Sequence, residues 1–374
     1  MSMLTPFALL LLAQGPAAPR EIRLTTPDRV LSEEFTQIRG VRELRDGRVL
    51  ISDRLDKGVV AADLETSTVL RVGRTGRGPA EYRLPTALLP MAGDSTLLVD
   101  EGNSRLAVIG PDLRIHRSFL LMLPGVPVPL GTRGVDRQGR FYLQIPGWVS
   151  ARADVNDSLV LVRFDMRRER VDTLARVKGA TMRTGPAPTM RLPIVPFAPQ
   201  DGWAVSTEGR LAIVRAADYH VELLEPDGRV TRGPVIPFDR VPVTEADRIA
   251  YTRRFTENSS VGGKDSDGGL SPVPNEWLED RNLREFAARN VFAETKPPFT
   301  DAAVHLAPEG TLWVERSLRL GAPSTWDVFD RAGRLAVRVI LPRGRRLAAL
   351  GDGTLYLVAT DEDGIQRLER YRRD

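Results

Sequence analysis

Apolar residues along this chain come in short runs of four to six, set between turns rich in Gly, Asp, Asn and Pro, and few are spaced to make a helix face. Runs of that length between turn residues predict β-strands joined as hairpins. One motif recurs. A Gly-containing turn leads into a β-rich run at DGRVLIS (46–52), GDSTLLVD (93–100), QGRFYLQ (138–144), EGRLAIV (208–214), EGTLWVE (309–315) and DGTLYLV (352–358). A longer two-run segment follows: VVAADLETSTVLRV (59–72), LAVIGPDLRIHRSF (106–119), LVLVRFDMRRERVDTL (159–174), VELLEPDGRVTRGP (221–234) and WDVFDRAGRLAVRV (326–339), with a shortened copy IQRLERY at 365–371. An apolar segment also precedes the turn, as in VREL (41–44), AVHL (303–306) and LAAL (347–350).

Each unit therefore holds four strands. A single four-stranded sheet leaves both faces bare, and stacking such sheets in a ring buries them. Six copies predict an all-β fold, a six-bladed β-propeller of four-stranded antiparallel blades, occupying residues 19–374 as one domain. The last copy stops at its third strand. EIRLTT (21–26) alternates apolar and polar residues ahead of the first copy, and is expected to close the ring beside 366–371, because an unpaired edge invites aggregation.

The long connections fall at 72–86, 146–157, 178–202 and 239–302, always between the second and third strands of a unit or between units. Those positions share one face of the disc, and the tight turns share the other. Within 239–302, VTEADRIAYTRRF (243–255) reads as a helix with Thr244 as N-cap, and NEWLEDRNLREFAARNVF (275–292) has one apolar face. The SSVGGKDSDGG stretch (259–269) breaks them, giving a two-helix insertion between blades four and five. It is expected to cap or lid the loop face through Trp277, Leu278 and Phe286, touching the 72–86 and 178–202 connections.

The turn-plus-strand pattern resembles the NHL and SMP-30-like group of six-bladed propellers. VGRTGRGPAEYRLP (72–85) resembles a GRxGxGPGEF…P segment of a bacterial six-bladed propeller family whose members are often exported. Gly73, Arg74, Gly76, Gly78, Pro79, Glu81 and Pro85 match it, while Ala80 replaces the second Gly and Tyr82 the Phe. The resemblance covers roughly residues 20–374 and attaches no chemistry to that segment.

Composition narrows the chemistry. The 374 residues include no cysteine, which excludes disulfides, thiolate metal sites and cysteine nucleophiles, and only three histidines, His116, His220 and His305. Net charge is +4, and all but four of the 53 basic residues are arginine, spread among the acidic ones rather than clustered. A nucleic-acid partner is therefore not expected. MLTPFALLLLA (3–13) is too short to span a bilayer, and with Gly15, Ala17 and Ala18 behind it reads as a signal peptide over 1–18. The chain is expected to be an exported monomer, periplasmic or extracellular, with no transmembrane segment.

Candidate binding residues come from the ends of the second strands, which read around the ring as Asp53, Asp100, Ile145, Arg215, Arg316 and Ala359. Two carboxylates facing two arginines make a poor cation cage but could make a bipolar pocket for a charged organic group; the structural reading, which the residues favour, is that Asp53 and Asp100 tie down their turns through backbone hydrogen bonds. GRTGRG (73–78) lacks the helix a phosphate loop needs, so its glycines serve a tight crossing, while Arg74 and Arg77 could still face a ligand. Trp148 would lie beside them on the loop face. No catalytic residue, metal ligand or cofactor is singled out. The expectation is a non-catalytic module that binds a small anionic or zwitterionic molecule, or a protein segment, on the elaborated face. The alternative, implied by the family resemblance, is a lactonase-like hydrolase with a divalent metal held in the axial channel.

Overall fold

A computed structural model describes residues 19–126, 131–146, 158–181, 192, 194–258 and 274–373. Among them, six sheets are each built on four antiparallel strands, laid down in chain order in blades one to five. Blade one runs Ile38–Glu43, Val49–Asp53, Gly58–Asp63 and Thr68–Arg71. Blade two runs Pro85–Pro90, Thr96–Asp100, Arg105–Ile109 and Ile115–Phe119. Blade three runs Gly134–Val135, Phe141–Pro146, Ser158–Asp165 and Arg170–Lys178. Blade four runs Gly202–Val205, Leu211–Arg215, His220–Leu224 and Val230–Arg232. Blade five runs Phe299–Leu306, Leu312–Arg316, Thr325–Phe329 and Leu335–Ile340. Blade six has Arg345–Leu350, Thr354–Thr360 and Gln366–Arg372, with an outer strand from the N-terminal region. The chain is a six-bladed β-propeller.

The sequence explains why the middle strands are continuous apolar runs. Strand side chains alternate between faces, and a blade inside a ring is buried on both. Val49 and Ile51 pack toward blade six with Tyr356 and Leu368, while Leu50 between them packs toward blade two with Leu98 and Ala107. Further apolar cores fill the two–three, three–four, four–five and five–six interfaces. The first strands of neighbouring blades adjoin and line the axis. At Gly40 a Cβ would lie 2.5 Å from the Thr86 carbonyl oxygen, so this inner strand approaches its neighbour only because the residue is glycine.

Ring closure uses a different segment from the one expected. Arg29–Val30 pairs antiparallel with Gln366–Arg372, and Phe35 forms a bridge to Gln366. Leu31, fully buried, and Phe35 enter the blade six–one core, and Arg370 holds Asp28 at 2.7 Å and Glu65 at 2.6 Å. Residues 21–26 instead extend blade five. Arg20–Arg23 pairs in parallel with Val337–Ile340, and Ile22 and Leu24 pack on the blade five–six core. EIRLTT does alternate as a strand should. The closing strand, however, must deliver large apolar groups to the six–one interface, and the sequence places those at Leu31 and Phe35.

The insertion forms helix α1 (Glu245–Asn258), a 3-10 turn (Asn275–Leu278) and helix α2 (Asp280–Ala288). Thr244 caps α1: its Oγ1 accepts the Asp247 N–H at 3.2 Å, and Asp247 accepts the Thr244 N–H at 2.9 Å. Ala287, Val243, Phe292 and Leu192 make a small core with Phe197, Tyr251, Phe255 and Phe286. The helices thus dock on the connection ahead of blade four, as expected. The 72–86 connection contributes nothing to this core, and Trp277 and Leu278 stay half-buried outside it. The expected 1–18 signal and the 259–269 break lie outside the described residues.

Closure predicts an order of sensitivity. Phe35→Ala should lower unfolding free energy by about 3–5 kcal/mol in chemical denaturation. Ile22→Ala, on the added edge strand, should cost clearly less. Equal losses would show that the edge strand closes the ring as much as residues 28–35 do.

Candidate functional site

The two faces of the disc are used differently. On the tight-turn face, polar groups tie blade to blade. Arg42 binds Asp94 and the Ser95 carbonyl, each at 2.8 Å; Glu43 accepts from Thr354 at 2.6 Å; Arg373 meets Glu309 at 3.0 Å. The long connections and the insertion occupy the other face.

The second-strand ends are drawn into their own surroundings. Asp53, 4% exposed, accepts the N–H groups of Thr36 and Gln37 at 2.7 and 3.0 Å and of Leu55 and Asp56 at 3.0 and 2.9 Å. Asp100 accepts those of Arg83 and Leu84 at 3.0 and 3.1 Å and the Asn103 amide at 2.7 Å. Both carboxylates therefore pin the chain as it enters an inner strand. Arg215 forks onto Glu222 at 2.9 and 2.7 Å and reaches Asp201 at 2.9 Å. Arg316 lies 3.3 Å from Asp327, which also accepts from Tyr219 of blade four at 2.7 Å and from Arg338 at 2.9 Å. The four side chains do not converge on one pocket.

The glycine segment closes on itself. Glu81 accepts the Gly78 N–H and pairs with Arg74, both at 2.7 Å, and these contacts hold its carboxyl below the usual range. A Cβ at Gly76 would lie 2.0 Å from that carboxylate, so the loop's own acid fills the cradle. Arg77 is exposed, and its carbonyl accepts from Arg105 at 3.2 Å. Trp148 lies outside the described residues.

A cavity of about 820 Å³ opens on the elaborated face, roofed by α1. Its walls are Phe197, Tyr251 and Phe255, the loop 317–324, and the ends of the first two strands of blade five. Arg254, Thr300, Glu315 and Arg316 bring polar groups to it. Glu315 accepts from Ser324 at 2.6 Å and from Thr300 at 3.5 Å. Burial raises its carboxyl above the usual range, against the opposing pull of those hydroxyls and of Arg254. A latch holds the roof: Lys296 meets Asp247 of α1 at 2.6 Å and donates to the Leu318 carbonyl at 2.6 Å, with both charged side chains buried. Of the second-strand ends, Arg316 lines this cavity. Glu315, one residue earlier, was not singled out from the sequence; the signal was a carboxylate in a repeat slot that holds Ser52, Val99 and Val214 in other blades.

The histidines stay apart. His116 meets Asp112 at 2.9 Å, His220 meets Asp218 at 2.6 Å, and His305 lies against the Trp326 ring, where burial and then Arg133 lower it to about 4. Among the described residues, no three His, Asp or Glu side chains group as a metal site.

No known family matches the chain, and no curated protein does. Solved structures do. A protein of Bacteroides fragilis thought to be exported is 11% identical, covers 95% of this chain and 99% of its own, and superposes with a TM-score of 0.49. A gluconolactonase of Xanthomonas campestris is 13% identical over 96% and 98%, with a TM-score of 0.44. The calcium-binding protein regucalcin of Agrobacterium tumefaciens is 10% identical over 96% and 98%, with a TM-score of 0.41. At these levels the likeness extends to the fold and no further. No helix among the described residues is long and apolar enough to cross a membrane.

Two measurements probe the cavity. Lys296→Met strands a buried carboxylate at a cost of about 3–5 kcal/mol. Hydrogen exchange should then quicken in Glu245–Asn258 while the blade strands keep their protection; unchanged exchange in that helix would mean the pair is no latch. Glu315 has a raised folded pKa, so it favours folding below its unfolded value and costs stability once pH passes its folded value. Glu315→Gln should therefore unfold at higher denaturant than the parent at pH 7, with the gain vanishing near pH 4.

Proposed function

We propose that the chain is an exported, non-catalytic binding propeller of the NHL and SMP-30-like kind that seats a small zwitterionic or anionic molecule beneath α1. The observation that carries this reading is the roofed cavity of about 820 Å³ on the elaborated face, mostly apolar, with a few convergent polar groups. Phe197, Tyr251 and Phe255 would cover the apolar part of the ligand. Arg254 and Arg316 would meet a carboxylate, and Glu315 with Thr300 an ammonium or hydroxyl. Arg215 serves this reading indirectly, by holding Asp201 next to Gln200 in the cavity wall, whereas Asp53 and Asp100 fix blades one and two and take no part in it.

A metal-dependent hydrolase would need carboxylates converging on the axis, whereas three of the six inner strands start at an arginine, Arg39, Arg133 and Arg346, which repels a divalent ion. Binding is therefore the reading we adopt.

Thermal denaturation of the whole chain against amino acids, small hydroxy acids and lactones tests it. A zwitterion or acid should raise the melting temperature of the parent and leave that of a Tyr251→Ala, Arg254→Gln variant unchanged. Turnover of a lactone that depends on added calcium would instead support the hydrolase.

A further inference from the structure

Two carboxylates line the cavity beneath α1, and they are treated differently. Asp247 is neutralised by Lys296 at 2.6 Å. Among the described residues no ion pair joins a cation to Glu315; Arg254 of the roof reaches it through its field. Glu315 stands near the end of Leu312–Arg316, directly across from Trp326 on the next strand. The indole Nε1 of Trp326 donates to Ser324 Oγ at 3.0 Å, and that hydroxyl donates onward to Glu315 Oε1 at 2.6 Å. Donors aimed at a carboxyl group favour its ionised form. Oε2 receives only Thr300, at 3.5 Å, so it keeps acceptor capacity on a side chain that lines the cavity. The site is thus arranged to hold a negative charge whose counter-charge the protein does not supply.

The opening carries the opposite sign. Arg254, Arg319 and Arg343 line the cavity and are exposed, which places them toward its mouth. Among the described residues no acid pairs with Arg319 or Arg343, whereas Arg316 and Arg345 deeper in the wall are matched to Asp327 and Glu369. Much of the remaining wall is apolar, with Phe197, Tyr251 and Phe255 its largest side chains. A volume of about 820 Å³ suits a drug-sized ligand, and a free amino acid would leave much of it unfilled. An anion alone would leave Glu315 without its counter-charge.

We propose that the cavity takes a short peptide with free ends, an inference that rests on the reading of the cavity as a ligand site. Its terminal ammonium is held by Glu315 Oε2 beside Thr300, its apolar side chains lie on the aromatic wall, and its carboxylate faces the arginines at the mouth.

Titration calorimetry on the whole chain at neutral pH, with trileucine, N-acetyl-trileucine and trileucine amide as probes, tests this. The parent should bind trileucine at least about tenfold more tightly than the acetylated form, which lacks the ammonium. Glu315→Gln relieves a buried charge and so should fold at least as well as the parent, yet bind the two forms equally. Trileucine amide, which keeps the ammonium and loses the carboxylate, should bind more weakly than trileucine. Equal affinity for trileucine and its acetylated form in the parent, or an ammonium preference that survives Glu315→Gln, would overturn the proposal while leaving the cavity a binding site. Equal affinity for trileucine and its amide would assign a simple amine and overturn the peptide. Binding of none of the three to the parent would overturn the peptide, and a melting temperature also unmoved by amino acids and small acids would remove the ligand site itself.

Discussion

Everything in this molecule depends on burying both faces of every blade. A twisted four-stranded sheet cannot do this alone, and a row of six would still leave two faces bare at its ends. The ring removes those ends only if blade six meets blade one. That contact is made by Val49 and Ile51 of blade one with Tyr356, Val358 and Leu368 of blade six, and Leu31 and Phe35 complete it. Each fully buried side chain of this size contributes about 1.5–3 kcal/mol. The outer strand of blade six is thus drawn from the residues just ahead of blade one, and Asp28, Glu65 and Arg370 fasten it.

Closure fixes what each face of the disc can do. The tight turns bring charged residues of adjacent blades within reach, and Arg42–Asp94, Glu43–Thr354 and Arg373–Glu309 use them to join blades. The opposite face receives every long connection, so variation there leaves the blade interfaces intact. The Asp53 and Asp100 carboxylates mark the boundary between these roles. They bind backbone at the elaborated face, and so let long connections return to an inner strand at a fixed point.

The fold was legible because its cause is periodic. Runs such as VLISD and TLLVD are apolar on both faces, and a Gly-containing turn ahead of each, Asp46-Gly47 and Gly93-Asp94, sets the register. Closure was half legible: alternation identified 21–26 as a strand, but only the packed interface shows that Leu31 and Phe35, not Ile22 and Leu24, meet blade one. The candidate site was mostly hidden. Second-strand ends stood out as charged positions, yet their partners lie one strand away, and the cavity arises where α1 meets loops from distant parts of the sequence.

The central claim is that binding belongs to the elaborated face and structure to the other. Crystals of the whole chain soaked in selenate or tungstate would test it most directly, with anions located by their anomalous scattering. The account predicts an ordered anion in the cavity beneath α1, beside Arg254 and Arg316. Anions confined to the tight-turn face or the outer rim, with that cavity unoccupied, would contradict it.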